Sequence, residues 1–259
     1  MSSLLVSIVL HDTKKIVIDN CIFSITNQKI QNHSFTTEII VNNEQYDTAD
    51  LEQKYKNVKF YRIENRGFGN AHNKSIMKSK NYDYHLVLNP DTKLKDNVFK
   101  LCINYMNNNP KIALLSPKIF LLKSDKIIGI QKSLRNYPKF FTLIFRRFMP
   151  NSYITKLYNK KHEIFPGNHV INNVPVVSGA FMFFKSDILK KIGGFDERFF
   201  MYMEDVDICL RIKNYGSITY FPDAHIYHHF EKGSSKNFKL FFIHVKSYII
   251  YLIKYFKFN

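Results

Sequence analysis

The chain has 259 residues, 45% of them hydrophobic and 15% aromatic, which excludes a disordered polypeptide and fits a globular core. Its formal charge of +17 asks for something anionic nearby, whether nucleic acid, a phosphorylated ligand or a membrane surface. Three cysteines, Cys21, Cys102 and Cys209, form no CxxC pair and cannot all be bridged, so they read as reduced, buried thiols in a reducing compartment.

The opening MSSLLVSIVLHD carries no basic stretch or cleavage site of a secretory signal, and its apolar run, Leu4 to Leu10, is too short to span a bilayer. It reads as the first strand of a cytoplasmic protein. A helical stretch near Lys15 to Thr26, the run TTEIIVN, a polar stretch to Lys56 and the run VKFYRI then follow. This is the strand–helix alternation of a mostly parallel sheet in an α/β protein. The pattern predicts a further helix over Gly69 to Lys80 and an apolar strand from Tyr84 to Leu88. That strand stops at Asn89-Pro90-Asp91, because a proline cannot donate to the ladder of a central strand. Ligands of open α/β sheets collect beyond the carboxyl ends of the strands, which is where Asn89 and Asp91 fall. No repeat and no Gly/Ser or Pro-rich linker divides the chain, so one domain is expected, covering 1–232, with a tail over 233–259.

Four clusters carry candidate chemistry. Glu64 to Asn73, ENRGFGNAHN, is a turn entering a helix, where Gly67 and Gly69 would let the backbone approach a ligand and free N–H groups would face phosphate or ribose oxygens. The same residues also suit a plain tight turn. In LVLNPDT, Asp91 is a carboxylate able to hold a hard cation against a diphosphate, and equally a strand-ending Asx turn. In GGFDERFFMYMEDVDICLR, the apolar positions from Val206 onward fit a helix that ends before Gly216 and carries Glu204 and Asp205 in its first turn. A helix N-terminus favours an ionised carboxylate, the state a general base needs, although first-turn acids are also common as partners of the helix dipole. Finally, TYFPDAHIYHHF sets His225, His228 and His229 within five positions, a spacing unlike that of a zinc finger.

Taken in this order, GFGNAHN, LNPDT, VSGAFMFFKSDILKKIGGFDERFFMYMEDVDICLR and YFPDAHIYHH resemble the inverting family 2 glycosyltransferases of the GT-A fold, in particular rhamnosyltransferase-like enzymes of O-antigen and other surface polysaccharides. The resemblance runs from about Val6 to Phe230. It implies that Asp91, last residue of the triplet that begins at Asn89, binds a Mn²⁺ or Mg²⁺ ion bridging the donor diphosphate. It implies that Asp205 is the base, supported by Glu204, and that His228, with His229 as runner-up, completes the metal shell; a histidine ligand tilts the choice to Mn²⁺. Gly67, Asn70 and Asn73 correspond to the loop beside the nucleotide, and Ser178, Gly179 and Ala180 to a segment flanking the donor sugar. The sequence departs from the family in two places. Asn42 stands where relatives commonly carry an aspartate for the nucleotide base, and an amide both donates and accepts. The metal triplet keeps a single carboxylate.

The segment Leu134 to His162 interleaves basic and aromatic residues and reads as a surface segment. From Lys236 to Lys257 the chain reads KNFKLFFIHVKSYIIYLIKYFK, and at about 100° per residue Lys236, Lys239, Lys246, Lys254 and Lys257 share one stripe. That fits a helix lying at the inner face of a membrane, with a helix packed on the domain as the alternative. A nucleotide-sugar donor and a lipid-diphosphate-linked saccharide acceptor are the partners the resemblance implies. A basic, aromatic module for single-stranded nucleic acid competes with it but leaves Asp91, Glu204 and Asp205 without a purpose. A catalytically idle relative of the same fold is the third reading.

Overall fold

The computed structural model describes residues 1–124, 126–138, 152–229 and 238–255. The first half alternates as the sequence predicts: β1 (Ser2–Leu10), α1 (Lys15–Thr26), β2 (His33–Val41), α2 (Ala49–Lys54), β3 (Val58–Arg62), α3 (Phe68–Ile76), β4 (Tyr84–Leu88). The predicted helix over Gly69 to Lys80 is shorter in the structure, because the Ser79 hydroxyl donates to the Ile76 carbonyl at 2.6 Å and the chain leaves through a single 3₁₀ turn, Ser79–Asn81. The short β5 (Thr92–Leu94), α4 (Val98–Asn108), β6 (Ile112–Lys123), β7 (Lys126–Ile130) and β8 (Leu134–Arg135) come next. After α5 (Tyr153–His162) follow β9 (Glu163–Ile164), β10 (Val176–Val177), β11 (Phe181–Lys185), α6 (Ser186–Lys191), α7 (Glu204–Ile212), β12 (Ser217–His229) and α8 (Phe238–Tyr255).

Among the described residues, nine strands form one sheet in the order β3-β2-β1-β4-β11-β6-β12-β5, with β7 hanging on β6. β3, β2, β1 and β4 are parallel, β11 enters antiparallel between β4 and β6, and β12 is parallel to β6. The sheet is therefore mostly parallel, as expected. β8, β9 and β10 make a second, three-stranded sheet. The period-two alternation explains the layers: Leu4, Val6, Ile8 and Leu10 of β1 join Ile18 and Ile22 of α1 and Phe99 of α4 on one face. On the other face Val87, Met182 and Phe184 join Leu189 of α6 and Ile208 of α7. Covering both faces is what a parallel sheet requires. β12 takes in Pro222 through an irregularity between Phe221 and His225.

The C-terminal helix packs on the domain. Ser247, Tyr248, Tyr251 and Leu252 are buried, and the Ser247 hydroxyl donates to the Met201 carbonyl at 2.8 Å. Lys254 does not share an outward stripe with Lys239 and Lys246: it turns inward and pairs with Asp196 and Asp207. The Asp207 carboxylate, fully buried, also accepts from Tyr255 at 2.7 Å and Arg211 at 2.8 Å, so α8 is strapped to α7 by charge as well as by apolar contact. Lys236 and Lys257 lie outside the described residues, as do residues 139–151 of the basic aromatic segment. Of that segment the structure describes β8, which lies in the small sheet, and α5, where Tyr153 is exposed. Cys21, Cys102 and Cys209 are buried free thiols, all three pushed up by desolvation, Cys21 and Cys209 to about 12.

Candidate active site

Register brings the carboxyl ends of β1, β2 and β4 together, with Leu10 opposite Val41 and Ile8 opposite Leu88. Asp12, Asn42, Asn89 and Asp91 therefore emerge at one end of the sheet, beside the point where the chain order reverses between β1 and β4. A cleft of about 510 Å³ opens there, lined by Asp12, Thr13, Lys14, Asp91, Lys123 and His229 among others. Asn42 is buried. Its amide nitrogen donates to Asn65 at 3.4 Å, and its carbonyl oxygen has no partner. A buried acceptor without a donor is costly unless a ligand supplies one.

Asp91 is tied to the end of β12 twice. Its carbonyl accepts from the His229 backbone at 2.9 Å, and its carboxylate faces His228 Nε2 at 3.0 Å. The other ring nitrogen of His228 lies 2.7 Å from Gln131 Oε1. The Gln131 amide and the Asp91 carboxylate thus hold the two ring nitrogens of His228 from opposite sides, and a neighbour that fixes the ring in this way is what a ligating histidine uses. Oxygen from Asp91 and nitrogen from His228 thus fit Mn²⁺ or Mg²⁺ as two protein ligands. Among the described residues no group of three or more His, Cys, Asp or Glu side chains could hold a metal, so further ligands would come from the donor diphosphate and water. His225 stands apart, its ring edge-on to Phe120 with centroids 5.7 Å apart.

Ser178, Gly179 and Ala180 join the two halves of the site. The Ala180 carbonyl accepts from the Asn89 backbone at 3.1 Å, and the Ser178 hydroxyl accepts from Gln131 Nε2 at 3.4 Å. On the far side, a Cβ placed on Gly179 would lie 3.8 Å from that of Asp205. Asp205 opens α7 behind Tyr202 and Met203, both in the left-handed region at φ 70° and 69°, an arrangement that stores strain at the turn. Its Oδ1 accepts from Val206 N–H at 2.8 Å, and Oδ2 pairs with Arg135 of β8. Glu204 beside it is buried with Oε2 unpartnered, and burial first, then the Asp205 charge, push its carboxyl up to about 8. Burial thus favours the protonated form of Glu204.

Gly67, Asn70 and Asn73 are spent on the protein itself. Asn70 donates to Glu197 at 2.6 Å, and Asn73 donates to Glu197 at 3.0 Å and to the Phe195 carbonyl at 2.9 Å. Gly67, at φ 102°, passes so close to Phe200 that a Cβ would sit 2.2 Å from its carbonyl oxygen. The glycine-bearing turn thus braces the loop that leads into Glu204-Asp205. Sequence reasoning did not single out Gln131, Arg135 or Glu197. Glu197 lay within the quoted motif and Arg135 within the basic aromatic segment read as surface, whereas Gln131 sits between motifs and carries no local pattern.

Residues 4–243 match the family described as glycosyltransferase like family 2. The N-acetylglucosaminyl-diphospho-decaprenol L-rhamnosyltransferase of Mycobacterium tuberculosis is 26% identical over 193 residues, 68% of this chain and 60% of that protein. The chain therefore spans about 60% of that relative's length. The rhamnosyltransferase WbbL of Escherichia coli K12 is 28% identical over 198 residues, 73% of this chain and 70% of its own. Among solved structures, GalNAc-T7 with UDP, GalNAc and Mn²⁺ matches 96% of this chain and 48% of its own at a TM-score of 0.72 and 13% identity. Residues 1–349 of S. aureus TarS match 88% of this chain and 60% of that one at a TM-score of 0.59 and 15% identity. These structures agree in fold, the GT-A arrangement that the sequence resemblance implied.

Proposed function

The chain belongs to glycosyltransferase family 2, and from that premise we propose that it is an inverting glycosyltransferase of surface polysaccharide synthesis, such as O-antigen or capsule. The donor we assign first is a deoxysugar, rhamnose, on thymidine diphosphate, and the acceptor a hydroxyl of a lipid-diphosphate-linked saccharide. The rhamnosyltransferases among its relatives support this choice. The observation that carries the reading is the placement of Asp91 and Asp205 on either side of the Ser178–Ala180 segment.

In this account the cleft at the end of β1 takes the nucleotide, and the unpartnered carbonyl of Asn42 accepts from an N–H of its base. Asp91 and His228 would hold the divalent cation, which would supply positive charge to the leaving diphosphate. Ser178, Gly179 and Ala180 flank the sugar. Asp205 takes the proton of the acceptor hydroxyl, and the oxygen attacks the anomeric carbon from the face opposite the diphosphate, inverting that centre. Glu204 is buried beside this base, and burial pushes it toward its protonated form. Gly67, Asn70 and Asn73 hold the loop that carries this base in register with the donor side.

The outer face of α8 supports attachment to the inner face of a membrane. Phe238, Phe242, Ile249 and Ile253 are exposed by 72%, 67%, 50% and 69%, form one row, and are bordered by exposed Lys239 and Lys246. Among the described residues no helix is long and apolar enough to cross a membrane. The test of the proposed activity is incubation with Mn²⁺ or Mg²⁺ and a panel of nucleotide sugars, reading release of nucleoside diphosphate. Release from thymidine diphosphate rhamnose is expected, and consumption of no donor, with or without lipid-linked acceptor, overturns the proposal.

A further inference from the structure

Arg135 comes from the middle strand of the small sheet, where it lies opposite Val176 of β10 and Glu163 of β9. The neighbouring Leu134 is fully buried and anchors the strand, and β10 packs against α7. The Arg135 guanidinium is thereby delivered to Asp205 from a different element than the one that bears the acidic pair. Both partners are shielded, with side-chain exposures of 30% and 16%, so the ion pair is not dissolved as a surface pair would be. The two oxygens of Asp205 are oriented separately, one by the Val206 N–H and one by Arg135, which fixes the plane of the carboxylate beside Gly179.

We propose that Arg135 is a positioning residue of the transfer reaction: it holds the Asp205 carboxylate in a single orientation, ionised and beside the donor-flanking segment. This rests on the glycosyltransferase reading above. The charged and titratable groups around the pair are Glu204 and Cys209 on α7, with Tyr137 beside Cys209, and Glu163 of β9, opposite Arg135 and paired with Lys132 at 2.7 Å; Asp207 faces Lys254, Tyr255 and Arg211 instead. Arg135 is thus the cation that faces Glu204 and Asp205, and it acts on the buried Glu204 as well, opposing the rise that burial and Asp205 impose. Without it two adjacent carboxyls would share one proton in a shielded place, and the pair would hold that proton more tightly.

The test compares wild type, Arg135→Gln and Arg135→Lys by carboxyl carbon NMR titration of the acidic pair, with resonances assigned through Asp205→Asn, and by the pH profile of kcat/KM. In Arg135→Gln the pair's titration is expected to move up by about 1–3 pH units. The acid limb of the rate profile moves with it, so the deficit is about tenfold or more at pH values below the wild-type limb and narrows as the pH rises past the shifted one. Arg135→Lys, which keeps the cation, stays near wild type in both. An unchanged titration in Arg135→Gln overturns the proposal, as does a rate loss of the same factor at every pH. The titration needs no substrate, so a wild-type protein that transfers no sugar but shows the shift sinks the functional reading and leaves the Arg135–carboxyl link standing.

Discussion

Beneath the site, Ser7 of β1 joins two fully buried histidines, with its hydroxyl 2.8 Å from His72 Nδ1 and 2.9 Å from His85 Nε2. The far nitrogens, His72 Nε2 and His85 Nδ1, have no partner. If each ring donates to the Ser7 oxygen and Ser7 donates to the Leu86 carbonyl at 3.3 Å, no N–H is left unpaired, but only while both rings are neutral. Burial drives both down, His85 from 6.5 to about 3, and His72 is lowered further by its proximity to His85. The folded state thus binds fewer protons than the unfolded chain between about pH 6.5 and 3, so stability is lost as the pH falls across that window. From about pH 7.5 to pH 5 His85 removes about 2 kcal/mol, and His72 acts in the same direction. Glu204 acts in the opposite sense, because its folded carboxyl at about 8 lies above its ordinary 4.5, so its contribution is lost as pH rises through 8. Urea unfolding followed by circular dichroism in wild type and His85→Leu isolates the histidine, since Glu204 contributes equally to both. The variant is expected to lose about 2 kcal/mol less than wild type between pH 7.5 and 5. Equal pH slopes in the two proteins would refute the reasoning.

Three further outcomes follow from the packing. Gly67→Ala forces a Cβ to within 2.2 Å of the Phe200 carbonyl at a left-handed φ, and urea unfolding should show a loss of about 2–3 kcal/mol. Asp207→Asn leaves Lys254 and Arg211 without their buried counter-charge; a loss of about 3 kcal/mol is expected, with earlier proteolytic release of α8. A Phe242→Ser, Ile253→Ser double variant removes apolar surface worth about 2 kcal/mol from the outer face of α8. Co-sedimentation with vesicles containing anionic lipid should fall roughly thirtyfold while the fold is retained.

The sequence made legible whatever depends on local pattern. β1, α1 and β4 follow from alternation and from the proline that stops β4, and the start of α7 follows from apolar spacing after Glu204-Asp205. The entry of β11 between β4 and β6 was not legible, because a two-faced apolar run such as FMFFK carries no sign of strand direction. Side-chain commitments between distant segments were also out of reach. Asn70 and Asn73 meet Glu197 more than 120 residues away, and Arg135 meets Asp205 across 70. Lys254 shares a helical stripe with other lysines, yet two carboxylates of the domain draw it inward, a tertiary effect that periodicity cannot contain.

The central claim is that Asp205 is the base of a sugar transfer from a nucleoside diphosphate. It is tested most directly by comparing wild type and Asp205→Asn for transfer to a lipid-linked acceptor, with donor binding measured in parallel by calorimetry. The account predicts a fall in kcat of about a hundredfold or more with donor affinity within about threefold of wild type. Transfer at the wild-type rate by Asp205→Asn would contradict it.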